Sequence, residues 1–288
     1  MELILAAAVC SVLVSILLKI CKAKGLNPMQ MICWNYAIAS LLCFFWFKPD
    51  LSHISPSNTP WWLILSLGAL LPSVFLCLSK SLQSAGIVKT EVAQRLSVVL
   101  SLGAAYFIFN EHFGTLKLIG IGLGIAAVLC IIYSHRSSHA QTSYSSSGMM
   151  YLASVWVGYA LVDILLKYTT GLGVQFAVAL NLMFICAFIF SFLYIVLTTK
   201  QIGSATTILF GLVLGLLNFA NIALYVKAHM LLKDTPAIVF AGMNILVVVL
   251  GVFSGLLFFK EKLKTSTSLG LGLGIMSVLC LAYAMTVS

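Results

Sequence analysis

"FNEHFGTLKLIGIGLGIAAVLCIIY" runs from Phe109 to Tyr133, and the chain says nearly the same again in "FKEKLKTSTSLGLGLGIMSVLCLAY" from Phe259 to Tyr283. Glu111 recurs as Glu261, Gly120, Gly122 and Gly124 as Gly270, Gly272 and Gly274, Cys130 as Cys280, and Tyr133 as Tyr283. The offset is about half the chain, so a whole unit is repeated rather than one helix. Two further matches support this. "ILLK" occurs at Ile16–Lys19 and Ile164–Lys167, and "AQRLSVVLS" (93–101) aligns with "MNILVVVLG" (243–251) at the offset that aligns the glycine-rich stretches.

Composition says what kind of unit it is. Of 288 residues, 61% are apolar and 8% charged, and the mean hydropathy is +1.11. Soluble domains carry about a quarter charged residues. So few charges cannot clothe a solvated surface, and the chain reads as an integral, multi-pass membrane protein. The opening "MELILAAAVCSVLVSILLK" has no basic lead and no small-residue cleavage site, which predicts a retained first span. The eight cysteines are scattered through apolar runs without metal-ligand spacing, so no metal and no cofactor is expected. The net charge of +9 comes from bases set singly at span ends, which excludes a nucleic-acid surface.

A bilayer core takes about 20 apolar residues as a helix. Ten such stretches are legible: 3–20, 29–47, 61–80, 87–109, 114–134, 149–169, 174–197, 205–229, 235–259 and 266–286. A Ser-rich stretch, 135–148, divides the chain into a first five-helix unit, 1–134, and a second, 149–288. Five crossings is an odd number, so the second copy enters the membrane upside down. The expected fold is all-α, ten transmembrane helices as two inverted five-helix repeats, an arrangement that places a transport site at the repeat interface.

Ten spans as five plus five, a Glu just after spans four and nine, and Gly-rich fifth and tenth helices resemble the drug/metabolite transporter superfamily, specifically its EamA-like members. The resemblance covers essentially the whole chain. It implies a central cavity among helices one to four and six to nine, with five and ten at the periphery. The chain departs from the family pattern in two places. "TEVAQRLS" (90–97) has no proline, and "LSKSLQS" (78–84) replaces the Ala-Leu signature that closes span three. Fold therefore transfers with the resemblance, and substrate does not.

Charged groups inside spans are costly in lipid unless a cavity or partner receives them. In span four, Glu91 and Arg95 stand one turn apart, with Gln94 beside them. They either neutralise each other within the bundle or face the cavity. The match of Gln94 with Asn244 in the second copy favours the cavity. Span six carries Asp163 and Lys167, at positions equivalent to Ser15 and Lys19 of span one, and these suggest coupling or gating groups. Asn218, Asn221 and Tyr225 share one face of span eight and are expected to line the cavity; His229 continues the stripe near the span end. The expected substrate-binding set is thus Glu91, Gln94, Arg95, Asn218, Asn221, Tyr225 and Asn244, with Asp163, Lys167 and Lys19 in coupling or gating.

No catalytic cluster is legible, so an enzyme is not expected. The glycine triplets lack the strand and turn of a nucleotide site and read as small-xxx-small packing. The expected function is secondary active transport, as exporter or exchanger, of small polar metabolites such as amino acids or related anionic and zwitterionic compounds. Lys19, Arg95, Lys167 and Lys227 outnumber Glu91 and Asp163, which favours such substrates; the alternative is export of lipophilic cations. Coupling is expected from protons or exchange. The partners are a small-molecule substrate and the lipid bilayer; the sequence leaves the oligomeric state open and is compatible with a monomer. The expected location is a bacterial inner membrane. The family architecture places both termini in the cytoplasm, whereas Lys22, Lys24, Arg136, Lys200, Lys260, Lys262 and Lys264 against Lys48, Lys117 and Lys233 count the other way.

Overall fold

A computed structural model describes residues 2–52, 54–55, 59–108, 113–138, 144–232, 236–262 and 264–287. Glu111 and Lys233 lie outside them, as do the side chain of Arg136 and the end of the chain at Ser288. The described chain is all helix and turn. In order, the helices are α1 (Glu2–Ala23), α2 (Pro28–Phe47), α3 (Trp61–Ser84), α4 (Ile87–Arg95), α5 (Ser97–Ile108), α6 (Thr115–Ser138), α7 (Tyr144–Gly171), α8 (Phe176–Thr198), α9 (Ala205–Leu231), α10 (Pro236–Leu257) and α11 (Thr265–Val287). Among the described residues, nine are long and apolar enough to cross a membrane. The remaining expected crossing is divided between α4 and α5.

Local chemistry sets several ends. Asn27 caps α2, its side-chain oxygen accepting from the Met29 N–H at 2.9 Å, and Pro28 stands where no N–H is needed. Ser204 caps α9 by accepting from the Thr207 N–H at 3.2 Å. The Ser-rich segment contributes more helix than its composition suggests: α6 runs to Ser138 and α7 begins at Tyr144. Serine weakens helix only modestly and no proline interrupts the stretch, so both helices continue beyond their apolar cores.

The break at Leu96 has no proline or glycine behind it. The Leu96 N–H still reaches the Val92 carbonyl at 2.9 Å, but Val99 N–H bonds Leu96 O at 3.1 Å, a tighter turn. Two carbonyls at the break find other donors. The Ser97 hydroxyl donates to Gln94 O at 2.7 Å, and the Trp156 indole of α7 donates to Leu96 O at 3.0 Å. A side chain inserted into the ladder is a recognised cause of such a break. In hydrocarbon the freed groups must be satisfied by protein.

Packing follows a pattern that survives exchange of the two halves. α1 packs on α9 and α10, while α7 packs on α3, α4 and α5; α2 packs on α8 and α9, while α8 packs on α2 and α3; α6 packs on α11. Small residues permit the closest approaches. A Cβ at Gly211 or Gly215 of α9 would meet the backbone of α2, and one at Gly68 of α3 would collide with Cys186 of α8. Between α6 and α11 the outer glycines of each triplet are the packed ones. A Cβ at Gly124 would lie 2.8 Å from Ser277 Oγ of α11 and 2.2 Å from Val99 Cγ2 of α5, and one at Gly270 would lie 2.9 Å from Ala127 O, whereas Gly122 and Gly272 face open space.

Candidate functional site

The central helices enclose a cavity of about 780 Å³. Its walls come from α2, α3, α4, α5, α7, α8, α9 and α10; no described residue of α6 or α11 lines it, and none of α1, which the resemblance had placed around it. The lining runs from Tyr36, Phe75 and Arg95 in mid-span to Phe176 at the start of α8, Phe240 near the start of α10, and His229 and Met230 at the end of α9. Since the chain crosses with each span, those ends lie on the face that holds both termini. Phe176 is 37% exposed and Met230 62%, which marks the mouth. At the opposite end Leu18, Leu78, Leu82 and Ile87 are buried to 1% or less.

Six of the residues read from sequence as substrate contacts line this cavity: Gln94, Arg95, Asn218, Asn221, Tyr225 and Asn244. The spacing on α9 puts its three on one face, and the break at Leu96 turns Gln94, Arg95, Ser97 and Val98 to the interior together. Asn218 is held by donating to Asn35 Oδ1 of α2 at 3.2 Å, and Asn244 donates to Phe240 O at 2.8 Å. The Asn244 amide oxygen is thereby left for the cavity side. Asp163 also lines the wall, accepting from the Ser101 hydroxyl of α5 at 3.3 Å.

Glu91, Lys19 and Lys167 do not line the cavity. Glu91 is 1% exposed and sits behind the wall. Glu91 and Arg95 do not pair with each other; each takes a serine of α1, Glu91 accepting from Ser15 and Arg95 donating to Ser11. The sequence places the two charges one turn apart but cannot show that α1 runs alongside with a hydroxyl opposite each. Lys19 lies at the closed end in an ion pair of 2.5 Å with Glu261, its ammonium 4.4 Å from the centre of the Phe259 ring. Lys227 lies 5.9 Å from the Trp46 ring, away from the cavity. The excess of bases counted from sequence thus reduces, inside the cavity, to one guanidinium and one carboxylate.

The same Glu261 carboxylate accepts the Ile87 N–H at 2.7 Å and the Val88 N–H at 3.2 Å, the free donors at the start of α4. Gly86 makes room for it: its φ is +91°, and a Cβ there would stand 2.7 Å from the carboxylate. One acidic side chain from beyond α10 therefore ties together α1, α4 and its own turn. Close by, the Ser81 and Thr90 hydroxyls meet at 2.8 Å between α3 and α4.

Residues 1–133 match the EamA-like transporter family. By that match the first 133 of the 288 residues form an EamA-like unit. A relative from Haemophilus influenzae, an uncharacterised protein, is 38% identical over 284 residues and covers 96% of each chain. A solved crystal structure superposes with a TM-score of 0.53 over 96% of each chain at 13% identity, a likeness of fold alone. The match to a transporter family agrees with an all-helical chain that has nine candidate membrane spans among its described residues.

This EamA-like cavity also uses residues that sequence reading passed over. Tyr36 and Tyr159 line it, and Tyr36 packs against Phe75 at 6.2 Å and Phe184 at 5.9 Å between ring centres. Tyr159 stands one turn before Asp163 on α7, so the intramembrane acid was a usable signal for it. Asn35, fully buried behind Asn218, gave none, because its partner is on a helix far along the chain.

Proposed function

We propose that the protein is a secondary active transporter of small polar metabolites, amino acids or related zwitterionic or anionic compounds, working by alternating access between two inverted five-helix repeats. One observation carries this reading. One cavity holds a guanidinium (Arg95), a carboxylate (Asp163) and the amides of Gln94, Asn218, Asn221 and Asn244 among aromatic walls. Arg95 suits a substrate carboxylate and Asp163 a substrate ammonium. The aromatic rings Tyr36, Phe75 and Phe184 suit an apolar side chain. The repeat architecture, with units 1–134 and 149–288, is supported by the recurring sequence and by packing that is unchanged when the halves exchange places.

A second reading, export of lipophilic cations, draws on the same rings and on Asp163. Arg95 in the same cavity opposes a bare cation. Counterflow into proteoliposomes decides between them. Labelled amino acids and organic acids should exchange, and tetraphenylphosphonium should not. Exchange of the cation alone would overturn the first reading.

A further inference from the structure

Behind the cavity wall lies a polar seam that neither substrate contacts nor packing accounts for. α1 offers Ser11, Ser15 and Lys19 at successive intervals of four residues, so all three lie on one helix face. Running the other way, α4 presents Arg95, Glu91 and the Ile87 N–H at the same interval. The three rungs are Ser11 with Arg95, Ser15 with Glu91, and Lys19 joined through Glu261 to Ile87. The seam reaches from the cavity, which Arg95 lines, to the closed end, where Lys19 and Glu261 are 15% and 17% exposed.

Glu91 is the odd member. One of its oxygens takes the Ser15 hydroxyl, and the other is buried with no partner. The side chain occupies the space left by Gly251 of α10, where a Cβ would come within 3.0 Å of Glu91 Cγ. The charged and titratable groups facing it are Arg95 on its own helix and Tyr159 on α7, with Asp163 beyond them facing Arg95 and Tyr159; α1 and α10 offer Ser15 and Gly251. A buried carboxylate with a bare oxygen costs far more in hydrocarbon than the neutral carboxylic acid does. Arg95 is also incompletely held, since its Nε is buried without a partner.

We propose that Glu91 is the proton-binding group of the transport cycle, and that it binds its proton together with the substrate's carboxylate. This rests on the transport reading above. The proton, taken from water, adds to the bare oxygen of Glu91 and is released to water when the cavity faces the other side; no other bond changes. With Glu91 neutral, the Arg95 charge is free for a substrate anion in the cavity. With Glu91 ionised, the guanidinium one turn away is drawn to it and the substrate loses its counter-charge. Each ligand therefore raises the affinity for the other, which is the linkage a symporter needs.

Two measurements on the full chain test this. In lipid nanodiscs, infrared spectra of the wild type across pH should contain a protonated-carboxyl stretch that Glu91→Gln removes and Ser15→Ala shifts. In proteoliposomes with the membrane potential held at zero, a pH gradient acid on the outside should concentrate a labelled amino acid that the wild type exchanges. A one-to-one symporter can reach about tenfold accumulation per pH unit. Glu91→Gln should still exchange that amino acid but accumulate none. Gradient-driven accumulation surviving in Glu91→Gln, or a carboxyl band unaffected by both substitutions, overturns the proposal. If no amino or organic acid exchanges at all, the transport reading falls, and the infrared band still decides whether Glu91 holds a proton. Should Glu91→Gln fail to fold, the Ser15→Ala shift alone supports the proposal and its absence overturns it.

Discussion

Replacing Glu261 with Gln should loosen the closed end of the cavity without unfolding the protein. The wild-type carboxylate receives Lys19 at 2.5 Å and two N–H groups at 2.7 and 3.2 Å, with about a sixth of the Lys19 and Glu261 side chains exposed. Removing one partner of a fully buried ion pair costs about 3–5 kcal/mol. Gln keeps one acceptor oxygen and the site is partly wet, so about 2 kcal/mol is the expected loss. At 1.4 kcal/mol per decade, that is roughly a 30-fold shift towards conformations in which this end is open. The reporter is Leu82→Cys, a fully buried position at the closed end, placed in a cysteine-free background. Its rate of modification by a water-soluble thiol reagent should rise by about that factor when Glu261→Gln is added. An unchanged rate refutes the reasoning. So does a lower melting temperature with an unchanged rate, because Glu261 would then support the fold without holding the end shut.

Arg95→Ala should abolish exchange while the protein still purifies as a monodisperse peak; retained exchange in that variant would remove Arg95 from the site. Cysteines at Asn218, Asn221 and Tyr225 should react with the same reagent and be protected by substrate, whereas one at the buried Phe219 should not; the opposite pattern would make the α9 stripe a packing surface. Gly124→Ala should destabilise by about 1–3 kcal/mol through overpacking against Val99, and Gly122→Ala should be near neutral or stabilising, as read from melting temperatures in detergent.

The sequence carried the framework well. Ten apolar runs predicted the helices to within a few residues, apart from the longer α7, because hydrocarbon permits few other backbone structures. The polar groups of α9 were legible because helical spacing alone puts them on one face, and the pair Gln94 and Asn244 because the two copies of the repeat align them. Glu91 was not. Its place behind the wall depends on Ser15 and on the missing side chain of Gly251, and neither is near it in the chain. Glu261 stood out in the sequence as the recurrence of Glu111 just after span nine. That it caps α4, on the other side of the chain's midpoint, required the tertiary fold. The break at Leu96 carried no proline or glycine, and the donors that satisfy it are the Ser97 hydroxyl beside it and the Trp156 indole, which arrives from α7.

That break has a counterpart that is missing. α10, which aligns with α4 and α5 by sequence, runs unbroken from Pro236 to Leu257. A rocking cycle would therefore flex an elbow on one stroke and a stiff rod on the other. Two strokes made with unlike hardware do not end at equal heights, so the empty carrier should idle facing one compartment and visit the other briefly. Single-molecule distances between labels on α5 and α10 would show that bias as two unequal dwell times, and equal dwells would mean the elbow does not bend.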